Sequence, residues 1–219
     1  MIHLYGVVDG LDELPAIEGL DGAPLERRQV EGLELVVSRT GREQPEVSDE
    51  AVLTHAQVVE ELMARSEAIL PARFGRAFAG EDELASAVQT KAAELERGLT
   101  RLRGCAELGL RVLELAAAPS TNGPRSGGEY MRRQLEETRR RERIAAEFHE
   151  PLAELAREET RFRGGNEELL AAAYLVPEEL VAAFRERVER LEDAHPDLGV
   201  LCTGPWPPYS FAGEGEGEA

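Results

Sequence analysis

The order of apolar patterns in the second half of the chain constrains its fold more than any other feature. Alternating apolar residues predict strands, and apolar residues repeating at intervals of three and four predict helices. In chain order the patterns predict strand, helix, strand, strand, helix and strand, at residues 108–112, 129–159, 160–163, 170–176, 177–195 and 198–202. This is the split βαβ order. Residues 104–204 are therefore predicted to form a ferredoxin-like (βαββαβ) domain of the α+β class.

The first half predicts another α+β domain, over residues 1–103. Short apolar and β-branched runs predict strands, and Ser48 is a favourable N-cap residue for a first helix. The predicted strands are residues 2–8, 25–30, 33–37 and 72–78, and the predicted helices are residues 49–69 and 82–102. Pro71 ends the first helix and Gly104 ends the second. Each half is thus expected to fold as a two-layer α+β domain.

The C-terminal segment, residues 205–212, combines three prolines with Trp206, Tyr209 and Phe211. Prolines restrict the backbone and remove hydrogen-bond donors, so an extended segment is predicted. Its aromatic side chains suit a clasp that folds back onto the body of the protein. They equally suit a rigid surface that contacts a partner, and the two roles are compatible. The Gly-Glu repeat at residues 213–219 is predicted to be a disordered acidic tail.

The net charge of −18, from 43 acidic and 25 basic side chains, limits the possible partners. Nucleic acids and anionic membrane surfaces attract mainly Lys and Arg, so no nucleic acid is expected to bind. The one basic concentration, residues 132–143, is interpreted as a solvated helix face with local ion pairs. A docking patch for an acidic partner is the alternative. Without a long apolar run or an evident signal peptide, a cytoplasmic location with no membrane insertion is expected.

The sequence shows no arrangement of residues typical of a catalytic, cofactor-binding or metal site. Its four histidines are widely spaced. His55 is interpreted as a polar residue at the edge of an apolar helix face, and His149 as an exposed or bordering residue. We therefore expect no catalytic residue, no cofactor and no metal, and we expect that the chain is not an enzyme. The alternative is a ferredoxin-like small-molecule-binding regulatory module, which would need convergent polar groups in a pocket.

Two pairs of residues test the predicted topology. The first and last strands of a ferredoxin-like sheet are antiparallel neighbours, so Cys105 and Cys202 are predicted to be a reduced pair with Cα atoms within about 10 Å. Arg73 lies among apolar residues and is expected to be buried. A buried arginine needs a carboxylate partner, and Glu60 is one candidate.

Several peptides resemble those of one known family. Leu-Pro-Ala-Arg-Phe-Gly at residues 70–75 and Gly-Pro-Trp-Pro-Pro-Tyr-Ser-Phe at residues 204–211 are similar to motifs of the gas vesicle protein L/F family. Shorter peptides occur in the matching order at residues 4–8, 55–60, 104–109 and 172–176. The resemblance covers nearly the whole chain except its acidic tail. The motifs do not separate the L type from the F type.

The resemblance implies a cytosolic, non-catalytic protein of two α+β domains that helps to build gas-filled buoyancy organelles. It implies contacts with the small hydrophobic shell protein, gas vesicle protein A, and with other gas vesicle accessory proteins, without a cofactor. A soluble acidic chain would suit a chaperone-like or nucleating partner of that subunit. Motif position and chemistry select five candidate partner-binding residues: Arg73, Phe74, Trp206, Tyr209 and Phe211.

Overall fold

The computed structural model of the chain describes residues 1–41, 47–115, 126–163, 165 and 168–213. It divides into two compact units. The first contains Met1–Ala106 and the chain from Trp206 onward, and the second is Glu107–Pro205. The aromatic C-terminal segment from Trp206 thus belongs to the first unit. Most of the predicted acidic tail, residues 214–219, lies outside the described residues.

The first unit is built on a five-stranded antiparallel sheet. Its elements are β1 (Ile2–Asp9), β2 (Leu25–Val30), β3 (Leu33–Arg39), α1 (Asp49–Met63), β4 (Ala68–Pro71), β5 (Ala77–Phe78) and α2 (Glu81–Leu102). The strand order is β2-β3-β1-β4, and β5 pairs with the beginning of β1. Ser48 caps α1 as expected, because its Oγ accepts a hydrogen bond from the Ala51 N–H at 3.2 Å.

Helices α1 and α2 cover opposite faces of this sheet. On one face Tyr5, Val8 and Ile69 join a buried cluster with residues of α1. The neighbouring residues Val7 and Leu70, opposite each other in the β1–β4 register, point to the other face because strand side chains alternate. There α2 packs so closely that a Cβ on Gly98 would lie 3.0 Å from the Leu70 side chain. The first unit therefore has three layers, and the two-layer prediction for it is wrong.

The cause of this difference lies in β1 and β4. All residues of β4 and all but the last of β1 are buried. A strand that is apolar on both faces needs a covering layer on each. The run at residues 2–8, which is apolar apart from His3, is the feature of the sequence that indicates two covered faces.

The end of the first helix was also predicted wrongly. Helix α1 ends at Met63, and Ile69 and Leu70 belong to β4, which pairs antiparallel with β1. Ile69 and Leu70 also fit the helical spacing of the residues before them. They form a strand instead, because β1 has free backbone donors and acceptors on the side where β4 pairs with it. The predicted strand at residues 72–78 is a turn over residues 74–75 followed by the short β5.

Six further elements are β6 (Cys105–Glu114), α3 (Gly127–Ala153), β7 (Glu158–Arg161), β8 (Glu168–Pro177), α4 (Val181–Ala194) and β9 (Leu198–Trp206). They form the second unit, except for the first two residues of β6 and the last residue of β9, which belong to the first unit. The strand order is β7-β8-β6-β9. Both helices contact β8 and each other, and Phe148, Leu152, Phe184 and Val188 fill the core between helices and sheet. The elements follow the predicted order, although α3 ends six residues before residue 159. The predicted hairpin turn at residues 164–166 falls partly outside the described residues.

The β6–β9 pairing separates the two cysteines. A Cβ on Gly109 would lie 2.7 Å from Thr203 Oγ1, and a Cβ on Gly199 would lie 3.8 Å from Leu113 Cβ, so the strands are antiparallel. This register sets Cys202 opposite Leu110, roughly 17 Å along β6 from Cys105. The predicted close pair is therefore wrong, because β9 continues to Trp206 and Cys202 falls in mid-strand. Neither cysteine forms a disulfide in the part of the chain that the structure describes.

Candidate partner-binding groove

A groove of about 520 Å³ opens on the α2 side of the first sheet. Its apolar floor is formed by Leu4 and Val7 of β1 and Leu70 of β4. One wall is α2, through Ala87, Val88, Lys91, Glu94 and Leu95. The opposite wall is the segment from Pro71 to Arg76 with Phe78, and Tyr209, Ala212 and Gly213 close the end. We call this feature the α2 groove.

Three of the five candidate residues line the α2 groove: Arg73, Phe74 and Tyr209. Arg73 is exposed, and the two aromatic residues are half-buried. The two family-like peptides, more than 120 residues apart in the sequence, therefore meet at one surface.

The other two candidates have different environments. Phe211 is buried in the first unit, and its carbonyl accepts a hydrogen bond from Arg101 Nη2 at 2.5 Å. Trp206 is 45% exposed at the end of β9 and does not line the groove. Within the aromatic segment, Phe211 is thus a buried anchor, whereas the ring of Trp206 is exposed.

Arg73 is not the buried, paired residue that the sequence predicted. It lies in the turn after β4, where its side chain is exposed, and the described residues place no carboxylate in an ion pair with it. Glu60 instead lies near Tyr209. Burial, together with the Glu60 carboxylate, raises the pKa of the Tyr209 phenol to about 12. Arg73 is therefore a solvent-facing cation at the rim of the groove.

Tyr209 also connects the two faces of the sheet. It packs against the cluster on the α1 side and borders the groove on the α2 side. Because β4 is the edge strand, Tyr209 lies across that edge. A covered edge is protected from pairing with other chains.

Two buried histidines support the groove wall from the α1 side. His3 Nε2 and His55 Nδ1 are 2.9 Å apart, and His55 Nε2 lies 2.9 Å from the Ala72 carbonyl oxygen. A carbonyl can only accept, so His55 Nε2 carries a proton and donates it to Ala72. His55 Nδ1 then accepts from the N–H at His3 Nε2. His3 Nδ1 remains a buried acceptor with no partner among the described residues.

The environment of this pair keeps both rings neutral at pH 7. Burial, with His55 beside it, lowers the pKa of His3 to about 4. Burial also lowers the pKa of His55, although its hydrogen bond to Ala72 acts in the opposite direction. The Phe74 ring lies against both imidazoles, with centroid distances of 6.1 Å to His3 and 5.8 Å to His55. The pair thus positions both Ala72 and Phe74 of the groove wall.

This pair was not predicted from the sequence. The interpretation of His55 as a residue at the edge of an apolar helix face is wrong, because the residue is 2% exposed. A signal was present. His55 is spaced three, four and seven residues from Val58, Val59 and Leu62, which places it on the buried face of α1. His3 lies in a strand whose other residues from 2 to 8 are apolar or glycine.

His149 is likewise buried and not exposed or bordering. Its Nδ1 lies 2.9 Å from the Tyr174 hydroxyl inside the second unit. Burial lowers the pKa of His149, and the positive charge of the nearby Arg161 lowers it further by a smaller amount. His195, in contrast, follows the last residue of α4 as predicted, with Nε2 3.6 Å from a Glu147 carboxylate oxygen.

Neither a metal site nor a membrane span is present in the described ranges. Within them, no three His, Cys, Asp or Glu side chains converge so that they could hold a metal ion. None of the helices there is both long enough and apolar enough to cross a bilayer.

Over the residues that the structure describes, the architecture is a mixed α/β fold with two antiparallel sheets and four α-helices, which is the class seen in crystal structures of gas vesicle protein F. The GvpF structure from an Anabaena species superposes with a TM-score of 0.85 at 21% identity, covering 100% of this chain and 98% of that one. GvpF from Microcystis aeruginosa gives a TM-score of 0.81 at 21% identity, covering 97% and 99%.

Residues 1–213 match the family model described as gas vesicle synthesis protein GvpL/GvpF, and the chain belongs to this family. It is 28% identical to gas vesicle protein F1 of Halobacterium salinarum over 214 residues, covering 96% of this chain and 92% of that protein. It is 34% identical to gas vesicle protein L of a Streptomyces species over 143 residues, covering 55% and 53%. The resemblance of the motifs is confirmed, and membership connects the chain with gas vesicle formation.

Proposed function

We propose that this protein assists gas vesicle assembly in the cytoplasm by binding other proteins, and that the α2 groove receives an apolar segment of the shell protein, gas vesicle protein A. One observation carries the proposal. The groove brings together Arg73, Phe74 and Tyr209 from the two family-like peptides. A purely structural contact between these peptides would not require an exposed arginine on an open apolar groove.

The composition of the groove suits a short apolar segment. The floor residues are already buried, so a bound segment would cover mainly the partly buried rings of Phe74 and Tyr209. Removing that apolar surface from water is favourable by roughly 25 cal/mol per Å². Arg73 and Lys91 at the rim can bind carboxylates or helix C-terminal carbonyls of the segment. The His3–His55 pair holds the wall in place before binding, which lowers the entropic cost of association.

The charge of the chain suits a chaperone-like role. An apolar shell subunit held in the groove would be attached to a molecule of net charge −18, and such a charge opposes unspecific association. Phe211 anchors the end of the groove in this proposal. Trp206 supplies a second aromatic contact outside it, because its ring is accessible. Contacts with other gas vesicle accessory proteins would use the remaining surface.

We also propose that the second unit is a ferredoxin-like domain. The sheet order β7-β8-β6-β9 places the first and last strands of the unit side by side. Both helices contact β8 and each other, which supports a two-layer βαββαβ arrangement.

Co-purification with tagged gas vesicle protein A tests the proposed function. The groove variant is Leu95→Asp, in the α2 wall, and its matched control is Leu53→Asp, at an α1 position that is 69% exposed. We expect wild type and Leu53→Asp to be captured, and Leu95→Asp to lose at least about tenfold in affinity, or about 1.4 kcal/mol. Circular dichroism verifies that both variants are folded.

Each other outcome has a defined meaning. Equal capture of all three proteins would show that the α2 groove is not the binding site. A wild-type protein that is not captured would contradict direct binding of the shell protein.

A further inference from the structure

The first half of α3 is exposed on nearly all sides. Residues 126–139 are exposed except for the partly buried Glu129, whereas Phe148 and Leu152 in the second half lie in the core. Met131 and Leu135 are 68% and 50% exposed. Although they lie in the predicted helix at residues 129–159, they are not part of its buried face. The exposed half has three large hydrophobic side chains, of Tyr130, Met131 and Leu135, and no covering element among the described residues.

These side chains form a row that leads into a cavity. Met131, Leu135 and Thr138 follow each other at intervals of four and three residues, so they share one helix face. Thr138 also lines a cavity of about 360 Å³ beside α3. The other lining residues are Arg141, Glu142, Ala145, Arg161 and Leu169. We call the row and this cavity together the α3 face.

Arginines flank the α3 face on both sides. At 100° per residue, Arg132 and Arg139 lie along one side of the row and Arg141 along the other. Arg161 adds a positive charge in the cavity, where Glu142 is the one acidic lining residue. The glutamates at 129, 136 and 137 point away from the row. A chain of net charge −18 therefore presents here an apolar surface with basic borders.

These borders are available to a partner to different degrees. Arg139 has no carboxylate partner among the described residues, and Arg132 donates to the Gly128 carbonyl oxygen of its own helix. Arg141 donates to Glu114 at 3.1 Å and to the Glu168 carbonyl oxygen at 3.0 Å. Arg139 is thus the border residue that a partner's carboxylate can reach without displacing an ion pair.

We propose that the α3 face binds an amphipathic helix of another protein, whose apolar row is flanked by carboxylates. Charge complementarity selects this occupant over a second copy of the chain. If two copies paired through this face, the arginine borders of both helices would lie against each other, and like charges are destabilising there. This surface lies on the second unit and is distinct from the α2 groove, so the proposal goes beyond the proposed function.

Two synthetic helical peptides of about 20 residues, acetylated and amidated, test this proposal with the full chain. They share one leucine row, which is flanked by Glu in one peptide and by Lys in the other. Fluorescence anisotropy of labelled peptides reports binding. We expect the Glu-flanked peptide to bind at least about tenfold more tightly than the Lys-flanked one.

Variants assign the binding to the α3 face. Arg139→Glu is expected to lower the affinity for the Glu-flanked peptide by about tenfold, and Leu135→Ser is expected to lower it by a similar factor. Arg133→Glu is the matched control, because it makes the same charge change on the opposite side of the helix. It is expected to change the affinity by less than about twofold.

Three results would overturn the proposal. They are equal affinity for both peptides, no binding of the Glu-flanked peptide at about 1 mM, and affinities that are unaffected by Leu135→Ser and Arg139→Glu. A dimer detected by analytical ultracentrifugation and abolished by Leu135→Ser would assign the face to a second copy instead.

Discussion

His3 Nε2 donates a hydrogen bond to His55 Nδ1 at 2.9 Å inside the first unit, and the two rings lie almost perpendicular to each other. The bond connects β1 with α1, and His55 Nε2 in turn donates a hydrogen bond to the Ala72 carbonyl oxygen. Phe74 lies against both rings. A buried polar pair is therefore what holds the wall of an otherwise apolar groove.

The stability of the first unit should fall in mild acid. His3 has a folded-state pKa of about 4 and an ordinary value of 6.5, so the unfolded chain binds more protons between these pH values. Its contribution is present above pH 6.5 and is lost as the pH falls towards 4. Between pH 7 and pH 5 the expected loss in the free energy of unfolding is about 2 kcal/mol, measured by urea denaturation.

The variant His3→Gln separates this effect from the titration of other groups. A glutamine amide nitrogen lies about as far from Cβ as histidine Nε2, so it can still donate to His55 Nδ1, but it has no proton to gain in this pH range. The variant should therefore lose less stability than wild type between pH 7 and pH 5. An equal loss in both proteins would show that His3 is not responsible.

The substitution Gly19→Ala should destabilise the first unit. A Cβ at this position would lie 2.3 Å from the Tyr5 hydroxyl oxygen. That hydroxyl accepts from the Leu20 N–H at 2.7 Å and lies 2.9 Å from Ser38 Oγ, so it cannot move without breaking buried hydrogen bonds. Overpacking of this kind costs about 1–3 kcal/mol, which thermal or urea unfolding would detect.

Gly128→Ala is the control for this prediction. Nothing lies within 4 Å of a Cβ at Gly128, which is exposed in the first turn of α3. The change should therefore shift stability by less than about 0.5 kcal/mol. Similar destabilisation by both alanines would contradict the proposed contact with Tyr5.

The sequence predicted local elements well where one apolar period dominates. In the second unit the alternation at residues 108–112 and the helical spacing around Phe184 and Val188 each fit a single element. Ile69 and Leu70, in contrast, fit the pattern of a helix and that of a strand equally well. They form a strand because they pair with the neighbouring strand β1. That choice depends on a partner more than 60 residues away, which local periodicity cannot show.

The candidate site was predicted in part because motifs mark residues but not their environment. Arg73, Phe74 and Tyr209 meet at the α2 groove, whereas Arg73 was expected to be buried and His55 to lie at a border. Burial of an individual side chain depends on the layers that cover it. The number of layers follows from the whole sheet, so it is not contained in any one peptide.

In the aromatic C-terminal segment, Phe211 should be needed for the stability of the first unit, whereas Trp206 should not. Phe211 is 5% exposed, so Phe211→Ala should remove a buried ring and cost about 3–5 kcal/mol. Trp206 is 45% exposed, so Trp206→Ala should change stability by less than about 1 kcal/mol. Urea denaturation followed by circular dichroism measures both variants under the same conditions, without relying on tryptophan fluorescence.

Co-purification of the same two variants distinguishes a stability role from a binding role. If Trp206 is a partner contact, Trp206→Ala should keep its stability and lose capture by tagged gas vesicle protein A. Phe211→Ala should lose capture only to the extent that the first unit unfolds. Stability lost in Trp206→Ala to the same degree as in Phe211→Ala would contradict the division, because both rings would then act as anchors of the first unit.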